Sequence, residues 1–148
     1  MRHLCDSNVL IALVLAGHPL HGPTRRWFEA LADADTVGLC RQTQITFLRL
    51  LTTEAILKED TQTNAGALAV WHGLAAHPRS EFLTEEPAGQ EARWTEWAGL
   101  NTPSPKVWMD AYLAAFAMGH SMVLVTFDRG FEPYRKKGLN VILPAHQT

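Results

Sequence analysis

Four acids stand where acids are costly. Asp6 interrupts the apolar run of HLCDSNVLIAL, Asp110 lies between VWM and AYLAAFA, Asp128 follows MVLVTF, and Glu54 sits inside LRLLTTEAIL. A carboxylate beside so much apolar sequence must be hydrogen-bonded, paired or bound to a metal. Two readings are open. In one, each Asp separately caps a helix or pairs with a nearby arginine; Asp6, Ser7 and Asn8 are all good N-cap types. In the other, Asp6, Asp110 and Asp128 converge. Clustered carboxylates repel one another, and a hard divalent cation such as Mg2+ or Mn2+, which prefers oxygen ligands and keeps several waters, relieves that repulsion. Such a site activates water and offsets charge developing on a phosphodiester. Glu54 does not join it. Helical geometry sets it about 15 Å along the axis from Gln44 at the start of the same helix, so it reads as a surface or salt-bridge residue.

Positioning these acids is the task of short apolar stretches alternating with longer segments of helical period. Residues 2–5 read as a strand ending just before Asp6, with a helix over 8–16 behind it. Gly17, Pro19, Gly22 and Pro23 mark a loop, and PTRRWFEALADA reads as a helix entered at proline. TVGLC (36–40) is a second strand, followed by one helix over roughly 43–57 and another over 63–76 that His77-Pro78 stops. A short strand is expected near 81–83 and a polar helix over 87–99. Ser104 and Pro105 suit the cap and first turn of a helix running to Gly119. MVLVTF (122–127) and GLNVILP (138–144) are continuous apolar runs of the kind buried parallel strands show. Strands alternating with helices predict an α/β domain with a mostly parallel sheet. Ligands of open parallel sheets bind outside the carboxyl ends of the strands, where Asp6 and Asp128 fall.

The 148 residues fit one domain, 1–148, with a sizeable core. An apolar content of 47% against 19% charged describes a globular chain rather than a disordered one. No apolar run approaches the ~20 residues of a membrane span, and no charged leader with a cleavage site precedes the first strand. Cys5 and Cys40 each end an apolar stretch, which suits buried free thiols; a cytoplasmic location is the expectation. Thirteen basic and fifteen acidic residues give a net charge of −2, so the whole chain does not advertise nucleic-acid binding. Basic residues do cluster locally, as Arg129, Arg135, Lys136 and Lys137, with a smaller pair at Arg25-Arg26; the plain reading is a solvated face. His18 and His21 in GHPLHG lie in a Pro- and Gly-rich loop with no Cys or Glu nearby, a poor zinc site.

DSNVLIAL, RQTQITFLRLLT, VWMDAYLAAFA and LVTFDRGF, in this order and spacing, resemble the PIN-domain ribonucleases. The likeness is to the VapC-type toxins of bacterial toxin–antitoxin pairs, and it covers essentially the whole chain. It implies a three-layer fold with a central parallel sheet and an acidic pocket holding Mg2+, or Mn2+, at the strand ends. Carried over, Asp6, Asp110 and Asp128 are the metal-binding acids, and Asn8 and Thr126 are polar residues supporting the pocket from behind. The family's remaining acid, usually a Glu at the start of the third helix, is matched to Gln44, which has no charge and cannot act as a base. That substitution points to one metal rather than two. The implied activity is cleavage of single-stranded or looped RNA, with Arg129 and Lys136 of the RKK segment on flanking phosphates. The implied partners are a cognate antitoxin whose tail wraps the toxin, and a second copy of the chain. Trp71, Trp94 and Trp97 either serve such contacts or pack in the core. The rival is a PIN-fold module that has lost catalysis and binds RNA or an antitoxin; Gln44 is the feature favouring it.

Overall fold

The computed structural model describes residues 1–144, so the last four residues of the expected domain 1–148 lie outside it. Among the described residues the short apolar segments form five strands: β1 (Arg2–Cys5), β2 (Thr36–Cys40), β3 (Ser80–Leu83), β4 (Val123–Val125) and β5 (Val141–Ile142). They pair in one sheet of order β3-β2-β1-β4-β5, every pair parallel. Parallel neighbours need crossover connections; among the described residues seven helices lie in the connections before β4, α1 (Ser7–Val14), α2 (His21–Glu29), α3 (Arg41–Leu51), α4 (Glu54–Leu57), α5 (Asn64–Ala75), α6 (Gln90–Ala98) and α7 (Val107–Gly119). A 3-10 turn covers Lys58–Asp60, and the basic stretch Arg129–Lys137 is a longer 3-10 segment.

The sheet separates two cores. On one face, Cys5, Val37, Leu39 and Val125 pack against Val9 and Leu10 of α1, Trp27 of α2, Phe47 and Leu51 of α3, and Trp71 of α5. On the other, Leu4, Cys40 and Leu124 pack against Leu113, Ala114, Phe116 and Ala117 of α7, with Phe131 and Tyr134 of the 3-10 segment. Successive strand residues point to opposite faces, so Leu4 and Cys5 serve different cores. The result is the three-layer α/β arrangement, and burial of each large side chain contributes about 1.5–3 kcal/mol. Strand order reverses between β1 and β4, which puts the ligand crevice of such a sheet at the carboxyl ends of those two strands.

Several helix ends differ from the sequence expectation. The single helix expected over 43–57 starts earlier, at Arg41, and breaks after Leu51. There the Thr52 hydroxyl donates to the Leu48 carbonyl and the Thr53 hydroxyl to that of Arg49, while the Gln62 N–H takes the Leu51 carbonyl. Side-chain hydroxyls thus compete with the helical ladder. Helix α1 stops at Val14 rather than residue 16, and α2 begins two residues before Pro23. Helix α7 begins at Val107, whose N–H bonds the Ser104 carbonyl. The Ser104 hydroxyl instead meets that of Thr102. Among the described residues no helix is long and apolar enough to cross a membrane.

Candidate active site

Strand β1 ends at Cys5, and Asp6 immediately caps α1: its Oδ1 accepts from the Ser7 N–H at 2.8 Å. Its Oδ2 accepts from the Thr126 hydroxyl at 2.8 Å. Thr126, fully buried just past β4, also accepts from the Asp128 N–H at 3.0 Å. One threonine thus locks together the two acids that follow the two central strands. Asp128 in turn caps the 3-10 segment, its Oδ1 accepting from the Gly130 N–H at 2.8 Å. Asn8 reaches across from α1, its Oδ1 accepting from the Phe127 N–H at 3.4 Å. Asp110, in the first turn of α7, opens onto the same cavity of about 480 Å3, which Asp6, Asn8, Gln42, Thr46, Lys106, Asp110 and Asp128 line. Capping and convergence are therefore one arrangement. Asp6 and Asp128 each commit an oxygen to a helix start and still face a shared space.

A cation already stands in that space. The Lys106 ammonium, one turn before Asp110, lies 3.2 Å from Asp110 Oδ2 and donates a short hydrogen bond to Asp128 Oδ2. Its influence divides unequally between them. Burial raises the Asp110 carboxyl above the ordinary carboxylate range, and the more distant Lys106 does not reverse this. Burial acts upward on Asp128 too, but the closer Lys106 contact and the Gly130 N–H outweigh it and hold Asp128 low. Asp6 is raised by burial, against the Thr126 and Ser7 hydrogen bonds, and the charges of Asp110 and Asp128 add to the rise. Three carboxylates against one ammonium leave about two negative charges in excess, a deficit that one divalent oxygen-seeking cation fits. Among the described residues no three His, Cys, Asp or Glu groups close on one point tightly enough to hold an ion as they stand. Lys106 is what stands between Asp110 and Asp128.

Gln44 is not brought into this cavity. It lies on the outer side of α3 and accepts a hydrogen bond from Arg41. The α3 residues that line the cavity are Gln42, Thr43, Thr46 and Leu50, and at 100° per residue Gln44 is some 200° round the helix from Gln42. Gln42 donates to the Met109 carbonyl at 3.1 Å, tying α3 to α7, and its Oε1 is buried without a hydrogen-bond partner. No acid from α3 faces the site. Lys106, Gln42 and Thr46 are the residues sequence reasoning missed. A Lys four residues before Asp110 and the four-residue recurrence of Gln42, Thr46 and Leu50 were the available signals.

Arg129 follows Asp128 directly and is exposed; Lys136 is exposed on the 3-10 segment and does not line the cavity. Glu54 is exposed at the start of α4, as expected of a surface residue. His18 and His21 are engaged locally, with the Leu20 N–H and the Ala12 carbonyl. Trp71 is core, edge-on to Phe47 and Phe82, while Trp94 donates to the Trp108 carbonyl and Trp97 packs on Tyr134.

Comparison with known proteins agrees with this fold. The PIN domain profile matches residues 4–137. The chain is 40% identical over 134 residues to Ribonuclease VapC41 of Mycobacterium tuberculosis, covering 88% of this chain and 92% of that one. It is 34% identical over 131 residues to Ribonuclease VapC29 of the same organism, covering 88% of each. Among solved structures, Mycobacterium tuberculosis VapC20, described as a Sarcin-Ricin loop cleaving toxin, superposes with a TM-score of 0.67 at 17% identity, over 88% of this chain and 93% of that one. The Rickettsia felis VapBC2 structure, bound to a DNA fragment from its promoter, gives 0.67 at 16% identity, over 96% and 98%. These last two are likenesses of fold. With the profile spanning most of its length and relatives at 40% and 34% identity over nearly all of it, the chain belongs to the PIN-domain family.

Proposed function

We propose that this chain is a VapC-type toxin, an endoribonuclease that hydrolyses RNA phosphodiester bonds with the help of a divalent cation, Mg2+ by preference. The observation that carries the reading is the convergence of Asp6, Asp110 and Asp128 on one cavity at the switch point of the sheet, with more negative charge than Lys106 offsets. Asp6, Asp110 and Asp128 would hold the cation, which when bound polarises water and stabilises charge on the phosphodiester. The chain's own residues fix the rest. Thr126 holds Asp6 and the start of the Asp128 turn in register, so that both acids act as one rigid unit. Gln42 holds α3 against α7 at the cavity wall through its bond to the Met109 carbonyl. Arg129 and Lys136 would bind phosphates flanking the cut, where charge attraction falls with added salt.

The same reading includes an antitoxin that covers the cavity and a homodimer, for which the exposed Ile45, Trp108 and Met109 on α3 and α7 offer apolar surface. The test is cleavage of structured RNA by the purified protein in Mg2+, in Mn2+ and in EDTA, beside Asp110→Asn. Metal-dependent cleavage lost in the variant is expected, with kcat down by about 100-fold or more. Folded, antitoxin-free protein that binds RNA and cuts none would leave the binding-module reading, which the absence of an α3 acid from the cavity favours.

A further inference from the structure

We propose that Lys106 is an exchangeable counter-charge: it yields Asp110 and Asp128 to the cation and, once released, holds a phosphate of the RNA strand. The inference rests on the cation-dependent reading above. Lys106 bridges two of the three carboxylates that would take the ion, so it and the ion compete for the same oxygens. Its side chain is 65% exposed, and a four-carbon stem rooted at the mouth of α7 can swing without disturbing either core. Asp128 and Asp6 are anchored independently of it. Asp128 keeps the Gly130 N–H, and Asp6, tied to Ser7 and Thr126, does not touch Lys106 at all. Releasing Lys106 therefore costs two ion pairs that are exposed at the lysine end, and leaves an ammonium beside a neutralised pocket, where the nearest unpaired anion is a substrate phosphate.

This residue is a positioning group, and its role separates into two readouts besides turnover. Titration of Mg2+ into metal-stripped protein, followed by calorimetry, is expected to show Lys106→Met binding roughly twofold to thirtyfold tighter than wild type, the span of two solvent-screened ion pairs. Lys106→Arg is expected to bind more weakly than wild type, because a guanidinium grips two carboxylates better than an ammonium does. In wild type, the 15N signal of the Lys106 ammonium, assigned by its loss in Lys106→Met, is expected to shift as Mg2+ saturates the site. For a single-stranded DNA oligonucleotide, used as a source of phosphates, Lys106→Met is expected to lower the slope of log affinity against log salt by about 0.7 in Mg2+ and to leave it unchanged without the ion. Equal Mg2+ affinities for wild type and Lys106→Met, or an ammonium signal that ignores saturating Mg2+, overturns the exchange while leaving the cation-dependent nuclease intact. Absence of Mg2+ uptake by all three proteins overturns both.

Discussion

Asp6 and Asp128 each spend one carboxylate oxygen on a backbone N–H at a helix start and turn the other to Thr126 or Lys106, whereas the Asp110 carboxylate meets Lys106. Asp6 and Asp128 were legible as site candidates because each ends a buried strand, and Asp110 because it sits in an otherwise apolar helix. Gln44 was misplaced by a phase error. A match made by sequence order alone does not see that Thr43, Phe47 and Leu51 form the buried stripe of α3, which puts 42, 46 and 50 beside the pocket and 44 outside. A paired experiment checks this phase. Thr46→Glu adds a fourth carboxylate to the cavity wall and is expected to tighten Mg2+ binding about fivefold or more, the worth of one added charge at roughly 4 Å in a wet site. Gln44→Glu is expected to change it by less than about twofold, its new charge being taken up by Arg41 on the outer face. Calorimetric titration of both variants decides it; the opposite order of effects would return Gln44 to the site.

Among the elements, strands were easier to read than helix ends. Continuous apolar runs such as VLV and the stretch around Val141 have no other use in a parallel sheet, whereas LRLLTTEAIL keeps helical period straight through the break at Thr52. What ends α3 is a set of hydroxyl bonds to backbone carbonyls and one contact from Gln62, and a residue eleven positions away leaves no trace in periodicity. The other end of α7 shows a similar long-range constraint. Gly119 reads as an ordinary helix stop, yet a Cβ there would lie 2.6 Å from Pro87 Cβ and closer still to Cγ, atoms of a rigid ring. Gly119→Ala gains a little helix propensity but forces the loop before α6 away from α7. A net loss of about 1–2 kcal/mol is expected, seen as a melting temperature lower by a few degrees. An unchanged or raised melting temperature would mean that the Pro87 loop gives way freely. The same contact predicts that Pro87→Gly, which removes both the Cβ and the Cγ, spares most of that loss in the double variant.

On the scale of the whole molecule, the sheet is a wall between two cores, and the pocket exists only while both hold. Asp6 and Asp128 are carried by strands β1 and β4, Asp110 and Lys106 by α7 in one layer, Gln42 and Thr46 by α3 in the other. If residues 1–148 fold as one cooperative unit, neither layer can open alone. The two cysteines report on this directly, because Cys5 lies in the core shared with α1, α3 and α5, and Cys40 in the core shared with α7. Both are buried free thiols, and burial, with Asp6 beside it, pushes the Cys5 thiol far above its ordinary range. A buried, protonated thiol is a poor nucleophile. Neither is expected to react with a chromogenic disulfide reagent in native buffer over minutes. Through a urea titration, labelling of each cysteine, followed separately in Cys5→Ser and Cys40→Ser or by mass spectrometry, is expected to rise with one midpoint that coincides with the loss of helical signal. Two midpoints would show that one layer detaches before the other. Cys40 reacting first would mean that α7 can leave the sheet with Lys106 and Asp110, dismantling the pocket while the core shared with α1, α3 and α5 survives.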